Sequence, residues 1–241
     1  MKTRLMTAAT LALASAAPAL AGFTSVNPAP GSELSHAPII NNVYGGTFAL
    51  NESAVPTYTN NTGFTLTRVS DFGLGGVMSI VGGSAATDDQ AWSRGDAVGP
   101  VTVIARAKYA GDSHTIGWID DTSETPVYQS ILGSTNFNNP VAVTLSSSFR
   151  WALNDITTGK TWTSRASDNV KSSVAYDQLV TYRVTGPTIT QPTFLLFWED
   201  RIGSGADYDY NDAVFEITAV PTPGVASLFG FAALAGARRR R

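Results

Sequence analysis

From Val101 to Tyr109 the chain alternates with a period of two. Val101, Val103, Ala105, Ala107 and Tyr109 fall on one face of an extended strand, and Thr102, Ile104, Arg106 and Lys108 on the other. No convincing 3.6-residue repeat accompanies it. Short β-prone runs recur instead at 44–50, 64–69, 77–81, 115–119, 141–145, 149–153, 179–184, 194–198 and 213–219, separated by turn residues. Runs of this length and spacing restrict the chain to an all-β architecture, an antiparallel β-sandwich of jelly-roll-like type. The pairs Gly45-Gly46, Gly75-Gly76 and Gly82-Gly83 read as turns or bulges, because no helical pattern follows them to build a phosphate-binding loop. Residues 22–40, rich in Pro, Ser and Asn, are expected to lie loose or along an edge. The expected internal boundary runs from Asp88-Asp89 to Gly99-Pro100. It divides a 22–97 β region, separate or part of the same sandwich, from a 98–219 sandwich domain.

The two ends have a different character. Lys2 and Arg4 precede an apolar run from Leu5 to Ala17 and then Pro18-Ala19-Leu20-Ala21. A basic start, an apolar run of about 7–15 residues and a small-x-small site make a signal peptide over 1–21, cleaved after Ala21. Residues 220–241 carry Pro221-Thr222-Pro223, an apolar stretch from Val225 to Ala237 and four terminal arginines. That stretch spans ~20 Å as a helix against a ~30 Å hydrocarbon core, so it is a poor permanent anchor. The arginines are expected to stay on the cytoplasmic side, leaving the body outside.

The body between these ends, residues 22–220, holds all 19 acidic residues but only 10 of the 16 basic ones, a net charge of −9. Nucleic-acid binding, whose footprint is basic, is excluded as an expectation. The chain has no cysteine, which removes disulfides, thiolate metal sites and cysteine nucleophiles.

Chemistry concentrates in one segment. Phe194 to Trp198 is a continuous apolar run, as a strand buried on both faces requires, and Ala213 to Ala219 is a second strand. The connection between them carries Glu199, Asp200, Asp207, Asp209, Asn211 and Asp212, with Gly203 and Gly205 permitting tight bends. Crowded oxygen ligands repel one another unless a cation sits among them, and Ca²⁺ takes 6–8 such oxygens in flexible geometry. Asp207, Asp209 and Asn211 alternate, so an extended backbone points all three one way and Tyr208 and Tyr210 the other. The expected ligands are Asp200, Asp207, Asp209, Asn211 and Asp212, with Glu199 facing the ion or the core. An EF-hand is excluded, since Asp212 stands where that loop needs glycine and Thr218 where it needs glutamate.

Two resemblances rest on these residues. The Pro-x-Pro turn, short apolar helix and arginine cluster resemble the PEP-CTERM sorting signal, with Thr222 in place of its glutamate. The resemblance implies processing by an exosortase-type membrane protease, a transient transmembrane helix and delivery to the cell surface or extracellular matrix. Phe197-Trp198-Glu199-Asp200, the Gly-rich link and Asp207-Tyr208-Asp209-Tyr210-Asn211-Asp212-Ala213-Val214-Phe215 resemble the C-terminal signature of domain-of-unknown-function family 4114. Gly111 to Trp118 and Phe149 to Leu153 resemble its upstream features, whereas Asp177-Gln178 stands where that family tends to have Asp-His. Members are secreted β-proteins, and no activity follows from the likeness.

The expected function is therefore a non-catalytic, calcium-stabilised surface or matrix protein. Two alternatives are a carbohydrate-binding module acting on exopolysaccharide and a glycan hydrolase. The module would stack sugars on tryptophans, Trp92 and Trp162 being the expected exposed ones and Trp151 and Trp198 core residues. The hydrolase would pair Glu199 with Asp209 or Glu216, two carboxyl groups about 5–10 Å apart. His36 and His114 are expected on the surface, which leaves no Ser-His-Asp arrangement.

Overall fold

The unbroken apolar run at Phe194 to Trp198 becomes the middle of a sheet covered on both faces. The computed structural model describes residues 23–51, 55–69, 78–80, 92–94 and 98–221. In chain order these form α1 (His36–Tyr44), β1 (Phe48–Asn51), β2 (Thr57–Asn60), β3 (Thr65–Arg68), β4 (Met78–Ile80), β5 (Trp92–Arg94), β6 (Val98–Lys108), β7 (His114–Asp120) and β8 (Tyr128–Gly133). There follow β9 (Val141–Val143), β10 (Ser148–Asp155), β11 (Lys160–Thr163), β12 (Val170–Lys171), β13 (Val174–Ala175), β14 (Leu179–Thr185), β15 (Thr193–Trp198) and β16 (Ala213–Pro221). One sheet runs β1-β2-β3-β14-β15-β16-β6-β9 and a second β4-β5-β10-β7-β8, with β11 also on β10. Each pairing between these strands is antiparallel. The fold is all-β with one short helix, as the period-two pattern requires.

The alternation of β15 sorts its side chains into two cores. Phe194, Leu196 and Trp198 pack between the sheets with Trp92, Ile116, Phe149, Trp151 and Trp162, while Leu195 and Phe197 face α1 with Ile39, Ile40, Leu66 and Tyr182. All six residues of β15 are buried, which is why the five from Phe194 to Trp198 are apolar without interruption. The alternation of β6 holds only to Ala105. A bulge pairs Val214 with Ala107 and Phe215 with Ala105, so Ala107 and Tyr109 join the helix-side core instead.

Four expectations are corrected here. Residues 22–40 are not loose along their length, because α1 starts at His36 and buries His36, Ile39 and Ile40 against the larger sheet. The spacing 36, 39, 40 is a helical face, but nine residues is too short to stand out as a repeat. Pro38 sits in the first turn, where no hydrogen-bonded N–H is needed. The expected strand at 44–50 shrinks to β1, since Tyr44 ends the helix. Trp92 and Trp162 are buried, at 0% and 6% exposure, like the other three tryptophans, so no indole face is left for sugar stacking. Finally, β16 continues past Ala219 to Pro221, which pairs with Val98, so the strand runs two residues into the expected tail.

The expected signal peptide, the 88–89 edge of the internal boundary, the glycine pairs at 75–76 and 82–83 and the tail beyond 221 lie outside the described residues. No described helix is long and apolar enough to cross a membrane. β3 pairs with β14 and β5 with β10, so strands from both sides of the expected boundary share each sheet.

Gly117 in β7 admits no side chain. A Cβ there meets the Gln129 carbonyl oxygen at 2.3 Å and the Tyr128 ring at 2.5 Å, and that ring is held by its hydroxyl on Thr115. Gly117→Ala is expected to cost ~1–3 kcal/mol of unfolding free energy, as overpacking does. An unchanged urea midpoint would show that β8 yields to the methyl group.

Candidate metal centre

The 199–212 connection is clamped from below by side chains that sequence reading did not join to it. Gln178 donates its amide Nε2 to the carbonyls of Glu199 (3.0 Å) and Arg201 (2.6 Å), and Trp162 donates Nε1 to the carbonyl of Asp200 (2.7 Å). Gly203, at φ 74°, makes the bend that lets Tyr208 Oη accept from its N–H at 3.0 Å. The loop then closes on the sheet, where the Asp212 carbonyl accepts from the N–H of Tyr109 and of Ala110.

This folding divides the six expected ligands. Glu199, Asp200 and Asp212 bring carboxylate oxygens within 4.8 Å of one another. Asp207 and Asp209 form a second such group with Glu33, from the segment before α1. Asn211 donates Nδ2 to Asp209 (2.7 Å), within the second group, and to the Leu34 carbonyl (3.1 Å). Its Oδ1 is buried without a partner. The expected extended run across 207–211 is thereby corrected: Tyr208 (φ 59°) and Tyr210 (φ 56°) are left-handed and fold the backbone back. Tyr210 packs inward, fully buried, with its hydroxyl on the Asp177 carbonyl. Glu33, Glu199, Asp200, Asp207 and Asp212 nevertheless line one cavity of about 190 Å³, with Arg201 at its side.

The carboxylates lean on fixed donors. Glu199 accepts from the N–H of Tyr208 (2.8 Å) and of Arg201 (3.2 Å), and Asp212 from the N–H of Asp200 (2.8 Å). Asp200 accepts from His114 Nε2 at 2.8 Å, and Arg201 bridges outward to Asp112 at 3.1 Å. Burial, then the charges of Asp212 and Asp207, pushes the Glu199 carboxyl up to about 9. Burial and then Asp200 push Asp212 up to about 8, and burial raises Asp209 to about 6. Burial and crowding thus favour the protonated form at the centre of the group, and a divalent ion there would supply the charge that favours ionisation.

Both histidine expectations are overturned. His36 and His114 are 1% and 2% exposed. His36 Nε2 lies 2.9 Å from the Asp209 carbonyl, which can only accept, so the proton is on Nε2 and Nδ1 accepts from Tyr182 Oη at 3.0 Å. Glu216, weighed as an acid partner for Glu199, is ion-paired with Arg106 at 3.1 Å and accepts from Tyr44. Glu33, His36 and Trp162 reach the loop from distant parts of the chain and carry no local signal. His114, in 111–118, and Gln178, in Asp177-Gln178, stand at positions singled out by the family resemblance. Comparison with family models, with curated proteins and with solved structures gives no match.

Proposed function

We propose that the chain is an exported, non-catalytic protein of the cell surface or extracellular matrix, its jelly-roll-like sandwich stabilised by Ca²⁺. In this reading the leader over 1–21 is removed and the tail from 220 addresses the protein through an exosortase-type protease. The observation that carries the calcium reading is the convergence of Glu199, Asp200 and Asp212 within 4.8 Å beside the Glu33–Asp207–Asp209 group. Three hard oxygen donors on clamped backbone, with carbonyls and water to complete the shell, match the demands of Ca²⁺ rather than of a soft metal. The shared loop makes the ion a cross-link between β15, β16 and the segment before α1. The tryptophans, all buried, give no support to a sugar-stacking module.

Binding the folded form alone stabilises it by about 2.7 kcal/mol at a hundredfold excess over Kd. The full chain is therefore expected to melt higher in Ca²⁺ than in chelator, and Glu199→Gln to remove the difference. Identical melting curves with and without chelator would refute the calcium assignment.

A further inference from the structure

A cleft lies on the other side of the same loop, and its charge is opposite to that of the body. It encloses about 710 Å³, within the ~300–1,000 Å³ typical of ligand sites. Its walls are the β11 edge, the β12–β13 hairpin and residues 200–205, and three of the body's ten basic residues, Lys160, Lys171 and Arg201, line it. Asp200 is the cleft's one acidic residue, and its carboxylate is buried against His114.

The two lysines are held but not neutralised. Arg106, Arg150, Arg165 and Arg201 each pair with a carboxylate, whereas among the described residues neither Lys160 nor Lys171 does. Lys160 Nζ sits over the Trp162 ring at 5.6 Å, and Lys171 Nζ donates to the Ile202 carbonyl at 3.2 Å. Both side chains are exposed. Between them the cleft offers the Ser204 side chain and two apolar surfaces, Ile202 and Val170, the latter 53% exposed.

We infer that this cleft binds an acidic oligosaccharide, its carboxylates paired with Lys160 and Lys171 and its C–H faces against Val170 and Ile202. The charge pattern selects an anion, and the mixture of apolar and hydroxyl-bearing walls suits a sugar. A peptide adding as a strand is disfavoured, because the outer edge of β11 is already closed at Thr163. There Asn169 accepts from its N–H at 2.9 Å and donates to its carbonyl at 2.8 Å. The sugar meets charged and aliphatic groups rather than an indole face, since Lys160 covers Trp162.

The inference does not rest on the cation site, and the experiment separates the two. Binding of tetragalacturonate to the full chain is measured by calorimetry with Ca²⁺ present, beside a neutral dextran oligomer and oligoglutamate. Saturable binding of the uronate alone is expected, weakening with added salt. The exposed double variant Lys160→Glu/Lys171→Glu is expected to lose at least roughly tenfold in affinity, and the milder Lys160→Gln/Lys171→Gln to fall between. Both should keep the parent's melting temperature and its response to chelator, a readout that reports the cation site separately. No uronate binding, equal binding of dextran or of oligoglutamate, or full affinity in both double variants would each overturn the inference.

Discussion

Asp212→Asn is expected to make the chelator-treated protein more stable at pH 8, while abolishing its response to Ca²⁺. Asparagine preserves the shape and still accepts from the Asp200 N–H, the bond that Asp212 makes at 2.8 Å. What it removes is a negative charge crowded by Asp200, Asp207 and Asp209 in a buried setting. The sign follows from linkage. The Asp212 carboxyl is raised from 3.8 to about 8 on folding, so the folded state holds a proton that the unfolded chain has released. Its contribution is complete below pH 3.8 and is lost as pH rises towards 8. The metal-free variant, which carries no such group, is therefore expected to gain on the natural chain progressively as pH rises through that window. On the proposed calcium site, added Ca²⁺ is expected to reverse the order, because the variant offers one ligand fewer. A site kept for structure alone behaves otherwise: Asp212→Asn would then be neutral or destabilising with chelator present, and chemical denaturation at pH 5 and pH 8 distinguishes the two.

Acid is expected to unfold the protein through His36. Its ring is enclosed, tilted against Phe197 at 4.0 Å between centroids, with both nitrogens committed. Burial, and then the charge of Arg68, lowers it from 6.5 to about 3. Above pH 6.5 the group is neutral in both states and stability is unaffected. As pH falls from 6.5 towards 3, only the unfolded chain gains the proton, and stability is lost by roughly 4–5 kcal/mol across the window. Carboxylates titrate in the same range, so the measurement is a difference: stability of the natural chain minus that of His36→Gln, followed from pH 8 to pH 4. Glutamine can donate to the Asp209 carbonyl, as His36 does, and cannot take up a proton. The difference is expected to be flat above pH 6.5 and to fall steadily below it. Parallel curves would remove His36 from the account.

The two sites share a design. The 199–207 segment is a wall with carboxylates on one side and the Lys160–Lys171 cleft on the other, and Asp200, Arg201 and Gly205 line both cavities. Repeating the uronate titration in chelator would read any coupling between the two.

The amino-acid sequence by itself determined the elements whose reason is local. Period-two alternation placed β6 as far as Ala105, and unbroken apolarity marked β15 as a strand buried on both sides. The density of carboxylates between Glu199 and Asp212 marked the candidate site without any tertiary information. Tertiary structure decided the rest, and for one physical reason: the remaining partners are brought by folding from positions whose own neighbourhoods are unremarkable. Glu33 reaches Asp207 and Asp209 only because α1 docks on the larger sheet, and the two histidines are buried because they serve distant acceptors on the acidic loop. Trp92 and Trp162, expected outside, lie inside with the other three tryptophans, because the two sheets turn these positions to a common core. The loop divides the five expected carboxylates into two groups, with left-handed turns at Tyr208 and Tyr210, Tyr210 packed inward and Asn211 bonded back to Leu34. Alternation can say which way a side chain points along a straight strand, but only the packed chain decides where the strand stops being straight.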